Sequence, residues 1–265
     1  MSSLRVRGIE MAYDDVGSGP AVVLLHGFPF NRSMWREQTA ALSAGYRVIT
    51  PDLRGQGDTT ATGEAATMDE MARDVAALMD ELNIRRAVVG GLSMGGYVAL
   101  AFCRRFPLRV RALVLADTRP QADTEEARRN REQQARKALK EGMDGIGEVM
   151  LPKVLAPTTL HEHPELVARV REMIKGTKPA GAAAALRGMA ARVDQTDFLS
   201  SILAPTLILV GSEDELTPPR DAEFMRREIR GSRMVIIEGA AHVSNLENPV
   251  DFNGALKEFL DELQP

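Results

Sequence analysis

At 265 residues the chain is long enough for one large α/β domain, or for one domain carrying an insertion. Its 44% hydrophobic and 26% charged residues are those of a soluble globular protein, and no run reaches the roughly 18 to 20 apolar residues that cross a bilayer. A net charge of −4 with no basic stripe argues against nucleic acid as the main partner, and one cysteine, Cys103, excludes an intrachain disulfide and a cysteine metal cluster.

In chain order, residues 4–13 alternate as an edge strand or hairpin that closes at the turn Gly17-Ser18-Gly19-Pro20. An apolar strand, Ala21–Leu25, runs into His26-Gly27-Phe28-Pro29. A helix over about Ser33–Leu42 and a strand Tyr46–Thr50 follow, the strand stopping at Pro51-Asp52. A helix over about Met68–Leu82 places Met71, Val75, Leu78 and Leu82 on one face. Then come strand Ala87–Gly90, a helix after Ser93, and strand Ala112–Ala116. Cys103 lies in that helix among Ala101, Phe102 and Phe106, where apolar surroundings raise a thiol pKa and suit a packing residue.

From Arg119 to Leu199 the strand–helix rhythm stops. The segment reads as helices over Asp123–Lys140, Gly145–Met150, Pro164–Ile174 and Pro179–Arg192, most of them opened by proline or an acidic residue. The small residues Ala182–Ala185 suit close packing, for which the active face of the sheet is the natural candidate. After it, strand Thr206–Gly211, helix Arg220–Glu228, strand Arg233–Ile237 and helix Pro249–Leu263 resume the pattern. Strands apolar on both faces that alternate with helices predict a mostly parallel sheet covered by helices on both faces. The domain expectation is a core of residues 1–118 and 200–265, with 119–199 as a helical cap inserted after the sixth core strand. Such a cap would stand over the strand C-terminal ends, where open α/β sheets bind ligands.

Gly91-Leu92-Ser93-Met94-Gly95 falls on the turn between a strand and a helix. That is the layout of a nucleophile elbow: side chains at 91 or 95 would strike neighbouring backbone, and the tight turn pushes Ser93 Oγ off the sheet edge. An ordinary glycine-rich turn has the same five letters, so other residues decide. A serine hydroxyl needs a base. Of four histidines, His242 follows strand Arg233–Ile237 and so stands on the same rim as Ser93. Asp214 holds the matching place after strand Thr206–Gly211, and the order Ser93…Asp214…His242 is that of an α/β-hydrolase triad. Asp117, after the preceding strand, is the rival acid. The oxyanion formed by attack needs two backbone N–H donors, supplied by Met94 and by Phe28. His26 belongs to the same loop and is read as structural or as a wall of the substrate site.

His26-Gly27-Phe28-Pro29, Pro51-Asp52-Leu53-Arg54-Gly55-Gln56-Gly57, Gly91–Gly96, Gly211-Ser212-Glu213-Asp214 and Gly239-Ala240-Ala241-His242 together resemble the α/β-hydrolase family over nearly the whole chain. Within it, Gly91–Ala99 and Ala116-Asp117-Thr118-Arg119 are similar to small bacterial carboxylesterases, a group close to the 3-oxoadipate enol-lactonases. Two positions depart: Asp58 stands where serine is commoner, and Val243-Ser244-Asn245 follows the histidine where proline-rich sequences are common. The resemblance implies acyl transfer through a covalent intermediate on Ser93, with His242 as base and Asp214 as its orienter, and no metal or organic cofactor. The expected function is a serine carboxylesterase for short- to medium-chain esters; the alternatives are a 3-oxoadipate enol-lactonase or other small-lactone hydrolase, and a non-catalytic ligand-binding protein. Haloalkane dehalogenation would need a carboxylate where Ser93 stands.

Other signals are weaker. His161-Glu162-His163 lacks the i,i+4 spacing of a helical zinc site. Met143, Met150, Met173 and Met189 suit either a soft acyl pocket or packing inside the cap, and Val243 is a further candidate for the pocket wall. Arg119, Arg187 and Arg192 are available to meet a carboxylate-bearing substrate. The expected partner is a small ester or lactone, with no nucleic acid, no membrane and an oligomeric state the sequence leaves open. Because Met1–Gly8 lacks the apolar stretch of a signal peptide, a cytoplasmic location is the default.

Overall fold

Strands that are apolar on both sides need cover on both sides, and the chain supplies it by alternating them with helices. The computed structural model describes residues 2–60 and 63–263. Its strands are β1 (Ser2–Val6), β2 (Ile9–Val16), β3 (Ala21–Leu25), β4 (Arg47–Pro51), β5 (Ala87–Leu92), β6 (Val110–Ala116), β7 (Thr206–Gly211) and β8 (Arg233–Ile237). They form one sheet in the order β1-β2-β4-β3-β5-β6-β7-β8, antiparallel at β1–β2 and β2–β4 and parallel from β4 to β8. Every residue of β5 and β7 is buried. The expected N-terminal edge element is a hairpin, in which Val6 pairs with Ile9 across a two-residue turn.

The helices are α1 (Arg36–Leu42), α2 (Met68–Glu81), α3 (Met94–Arg105), α4 (Glu125–Glu141), α5 (Asp144–Val154), α6 (Pro157–Glu162), α7 (Pro164–Lys175), α8 (Pro179–Ala190), α9 (Pro219–Glu228), α10 (Ser244–Glu247) and α11 (Pro249–Glu262). A capping box starts α2: the Thr67 hydroxyl accepts from the Glu70 N–H, and the Glu70 carboxylate accepts from the Thr67 N–H. α1 packs with α11 and α2 with α3, and helices cover both faces of the sheet. No helix among the described residues is long and apolar enough to cross a membrane.

Five helices, α4–α8, separate β6 from β7, although the two strands are direct neighbours in the sheet. Two details differ from the sequence reading. α6 has six residues, too short to show a period, and α5 runs on through Pro152 to Val154. Proline costs a helix one hydrogen bond; Pro152 stands in the last turn with its ring on the exposed side, where that loss is tolerated. The small-residue stretch of α8 also has another partner than expected. It packs along α4 and against Gln56 and Ala66, where the Ala184 carbonyl accepts from the Ala66 N–H at 2.9 Å and the Gly181 carbonyl from Gln56 Nε2 at 3.0 Å.

β3 lies between β4 and β5, so the chain reverses its direction of travel across the sheet there. Loops leaving the carboxyl ends of strands at such a switch point diverge and open a crevice. The loop after β3 carries Phe28 and the turn after β5 carries Ser93, with Leu25 and Gly91 in register just below them.

Candidate active site

Ser93 sits between the last residue of β5 and the first of α3, with φ 54° and ψ −114°. A non-glycine residue held there costs on the order of 1–3 kcal/mol and persists only where its surroundings fix it. They do so through both backbone groups. The Ser93 N–H donates to the Ala116 carbonyl at 2.9 Å, and its carbonyl accepts from the Tyr97 N–H at 3.1 Å and the Thr118 hydroxyl at 2.9 Å. The flanking glycines are a steric necessity. A Cβ on Gly91 would overlap the Gly95 carbonyl, and one on Gly95 would overlap the Leu25 carbonyl of the neighbouring strand.

The turn aims the hydroxyl at a histidine. Ser93 Oγ lies 2.8 Å from His242 Nε2, and His242 Nδ1 lies 2.8 Å from Asp214 Oδ2. Asp214 is acceptor-only as a carboxylate, so Nδ1 carries the proton and Nε2 is left as the acceptor for the serine O–H. Asp214 is itself held by the N–H groups of Leu216 and Thr217, at 2.8 and 3.0 Å, and by the Thr217 hydroxyl at 2.7 Å. Burial alone would lower the proton affinity of His242, but the adjacent Asp214 carboxylate outweighs it and leaves the imidazole pKa raised. For Asp214 the same opposition ends the other way: burial pushes its pKa up, while His242 and the Thr217 bonds bring it below the usual carboxylate value.

Asp117, the rival acid, makes no hydrogen bond to the histidine. Its Oδ1 accepts from the Gly211 N–H at 2.9 Å and its Oδ2 from the Ser244 hydroxyl at 2.5 Å, tying the ends of β6 and β7 to the start of α10. Complete burial, and then the neighbouring Asp214 charge, hold its carboxyl well above the usual range.

Ser93 and His242 open into a cavity of about 270 Å³, whose lining includes Phe28, Tyr97, Met150, Met189, Leu216 and Thr217. Met94 is the first residue of α3, so its N–H has no carbonyl within the helix to bond. The remaining pocket candidates lie elsewhere. His26 is fully buried, with Nδ1 donating to the Gly27 carbonyl and Nε2 accepting from the Leu53 N–H, both at 2.9 Å; it shapes the loop and does not reach the cavity. Met143, Met173 and Val243 are buried in the hydrophobic core, where they serve packing and not the cavity wall.

Of the three arginines, only Arg119 reaches the cavity. Arg187 pairs with Glu132 at 2.9 Å, and Arg192 is held by Asp123 at 2.7 Å with its guanidinium 4.2 Å above the Tyr97 ring. The sequence reading missed Arg131, Lys137 and Lys153, which line the cavity from α4 and α5. Nothing in a mixed-sign helix says which of its cations turn inward. Thr217 was within reach: an aspartate followed two and three residues on by free N–H groups is a common side-chain–backbone turn.

Comparisons with known proteins bear on the family and the fold. Residues 22–255 match the sequence model of the Alpha/beta hydrolase family, and the chain belongs to that family. Among solved structures, a thermophilic esterase from Thermogutta terrifontis, in its malate-bound form, is 42% identical with a TM-score of 0.96, the match covering 99% of this chain and 97% of that one. The enol-lactonase from Burkholderia xenovorans LB400 is 30% identical with a TM-score of 0.93, covering 98% of this chain and all 100% of its own. By sequence, 3-oxoadipate enol-lactonase 1 of Acinetobacter baylyi is 30% identical over 262 residues, 99% of this chain and 94% of that protein.

Proposed function

We propose that this protein is a serine hydrolase of short- to medium-chain carboxylic esters that works through an acyl-enzyme on Ser93, with the 119–199 segment as the cap over its substrate. The observation that carries the reading is the hydrogen-bond chain Ser93–His242–Asp214, two links of 2.8 Å whose serine end opens into the cavity. His242 Nε2 takes the hydroxyl proton as Oγ attacks the ester carbonyl. The charge that forms on the former carbonyl oxygen is met by the Met94 and Phe28 N–H groups, each such donor lowering the barrier by about 3 kcal/mol. His242 then returns the proton to the leaving alkoxide, and the alcohol departs. Water attacks the acyl-enzyme with His242 again as base, and Asp214 holds the ring in register and steadies the imidazolium throughout.

The test is hydrolysis of p-nitrophenyl acetate and butyrate by the parent and by Ser93→Ala. Loss of the nucleophile is expected to lower kcat by on the order of 10⁶, and turnover retained in the variant would overturn the mechanism. A fluorophosphonate should label Ser93 in the parent. No adduct there would favour a ligand-binding protein instead.

A second reading, hydrolysis of a carboxylate-bearing small lactone, is favoured by the cavity's charge. Among the described residues its lining includes Arg119, Arg131, Lys137 and Lys153 and no aspartate or glutamate, and of these Arg131 is paired with Asp123. Relatives named enol-lactonase point the same way. A panel of lactones and esters, each with and without a carboxylate, separates the two. A higher kcat/KM for the anionic lactone selects the second.

A further inference from the structure

His242 stands in a loop between β8 and α10, and the loop is fastened on both sides of it to the junction between α5 and α6. Upstream, the Ala241 N–H donates to Glu247 Oε2 at 2.7 Å. The other oxygen of the same carboxylate, Oε1, accepts from the Ala156 N–H, also at 2.7 Å, and the Thr159 side chain adds a hydrogen bond. Downstream, the Val243 N–H donates to the Val154 carbonyl at 3.3 Å. The residues on either side of His242 are therefore bound, directly or through Glu247, to the residues on either side of Leu155. Ahead of that junction runs α5, which gives Gly145, Ile146, Val149, Met150 and Lys153 to the cavity wall.

We propose that Glu247 is a positioning residue, which ties the α5 wall of the cavity to the loop that holds His242 against Ser93. This rests on the serine-hydrolase reading above. The chemistry of the group fits the task. Ala156 and Ala241 are both buried, so water does not replace a lost partner for their N–H groups. A carboxylate offers an acceptor oxygen to each. A glutamine offers one, and turns its NH₂ donor toward the other N–H. Burial raises the Glu247 carboxyl pKa, and the bonds from Ala156, Thr159 and Ala241 work against that rise by favouring the carboxylate. The loop needs such a fastening because His242 uses both ring nitrogens on Ser93 and Asp214 and has no side-chain atom left to anchor itself.

The experiment compares the full chain with Glu247→Gln by steady-state hydrolysis of p-nitrophenyl butyrate and by amide hydrogen exchange at Ala156 and Ala241. Misplacing His242 by a fraction of an ångström is expected to lower kcat about ten- to a hundredfold. KM should stay within about twofold, because the cavity's own side chains are untouched, and exchange should speed up at one or both amides. A folded Glu247→Gln with the parent's kcat, or with the parent's exchange at both amides, overturns the proposal. Should that variant not fold, Thr159→Val removes the side-chain hydrogen bond to the same carboxylate instead. It should lower kcat and speed exchange at the Ala156 or Ala241 amide, and an unchanged kcat with unchanged exchange overturns the tie. A parent chain unreactive to fluorophosphonate at Ser93 would refute the hydrolase reading, and with it a catalytic role for Glu247, while the exchange data would still show whether the tie exists.

Discussion

The rim of the sheet and the helical wall above it hold their functional residues in opposite ways. On the rim, Ser93 is fixed by hydrogen bonds through its own N–H and carbonyl, and Asp214 by two N–H groups and a hydroxyl besides the histidine. On the wall, Lys137 and Lys153 are exposed and form no ion pair among the described residues, and Val149 is half exposed. Residues held by the backbone cannot change without changing the fold. Residues held by nothing can change at little cost, so on the proposed reading the rim would carry the reaction and the wall the choice of substrate.

The rim should therefore break first and hardest. In Asp214→Asn the amide keeps the shape, but with its oxygen on the Leu216 and Thr217 N–H groups its NH₂ faces His242 and cannot accept the Nδ1–H hydrogen bond, and kcat is expected to fall by about 10⁴. The pH profile adds a sign. His242 must be neutral to act as base, and Asp214 favours its protonated form, so kcat/KM of the parent should rise with pH through a midpoint above the ordinary imidazole value of about 6.5. Losing the carboxylate should move that midpoint down in the variant. An unmoved midpoint, measured in the same buffers, would detach Asp214 from the histidine.

Next comes Gly95→Ala. The added methyl group overlaps the Leu25 carbonyl, which the sheet does not let move. A loss of more than about 3 kcal/mol in urea unfolding, or no folded protein at all, is expected. A variant as stable as the parent would mean that the elbow is looser than its contacts imply.

Asp117→Asn separates the two buried acids of the rim. Burial and the Asp214 charge raise the Asp117 carboxyl pKa, and asparagine keeps its shape: Oδ1 can accept from Gly211, while Nδ2 faces the Ser244 hydroxyl, which then accepts where it donated to the carboxylate. Stability within about 1 kcal/mol and kcat within about tenfold of the parent are expected. A fall as deep as that of Asp214→Asn would make Asp117 the working acid after all.

The same division explains what could be read from the sequence. Ser93, Asp214 and His242 stand just beyond strands whose apolar runs are unmistakable, and a strand end leaves little choice of where the next residue points. The helices of 119–199 were legible as helices, apart from the short α6 and the last turn of α5 around Pro152. Their facing was not. Four methionines looked equivalent in sequence, yet Met150 and Met189 reach the cavity while Met143 and Met173 are buried in packing. Which one turns inward depends on the angle at which α5 and α8 cross their neighbours, a tertiary quantity that no local period encodes. Glu247 escaped notice for a related reason, since its two backbone N–H partners lie six and 91 residues away in sequence.

The smallest expected effect probes the wall. Lys137 and Lys153 are exposed, so their attraction for a bound carboxylate is worth no more than that of a surface pair. Lys137→Gln combined with Lys153→Gln is expected to raise KM for a carboxylate-bearing ester about three- to tenfold, with kcat unchanged. The neutral isostere should be hydrolysed as before. Salt supplies the control, because screening acts on the same charges. Raising the ionic strength from about 0.01 M to about 0.15 M shortens the Debye length from roughly 30 Å to roughly 8 Å. It should therefore bring the parent's KM for the anionic ester toward that of the double variant and leave the variant nearly unmoved. If the double substitution raises KM equally for both esters, the lysines contribute shape, and the cavity's charge has no part in choosing its substrate.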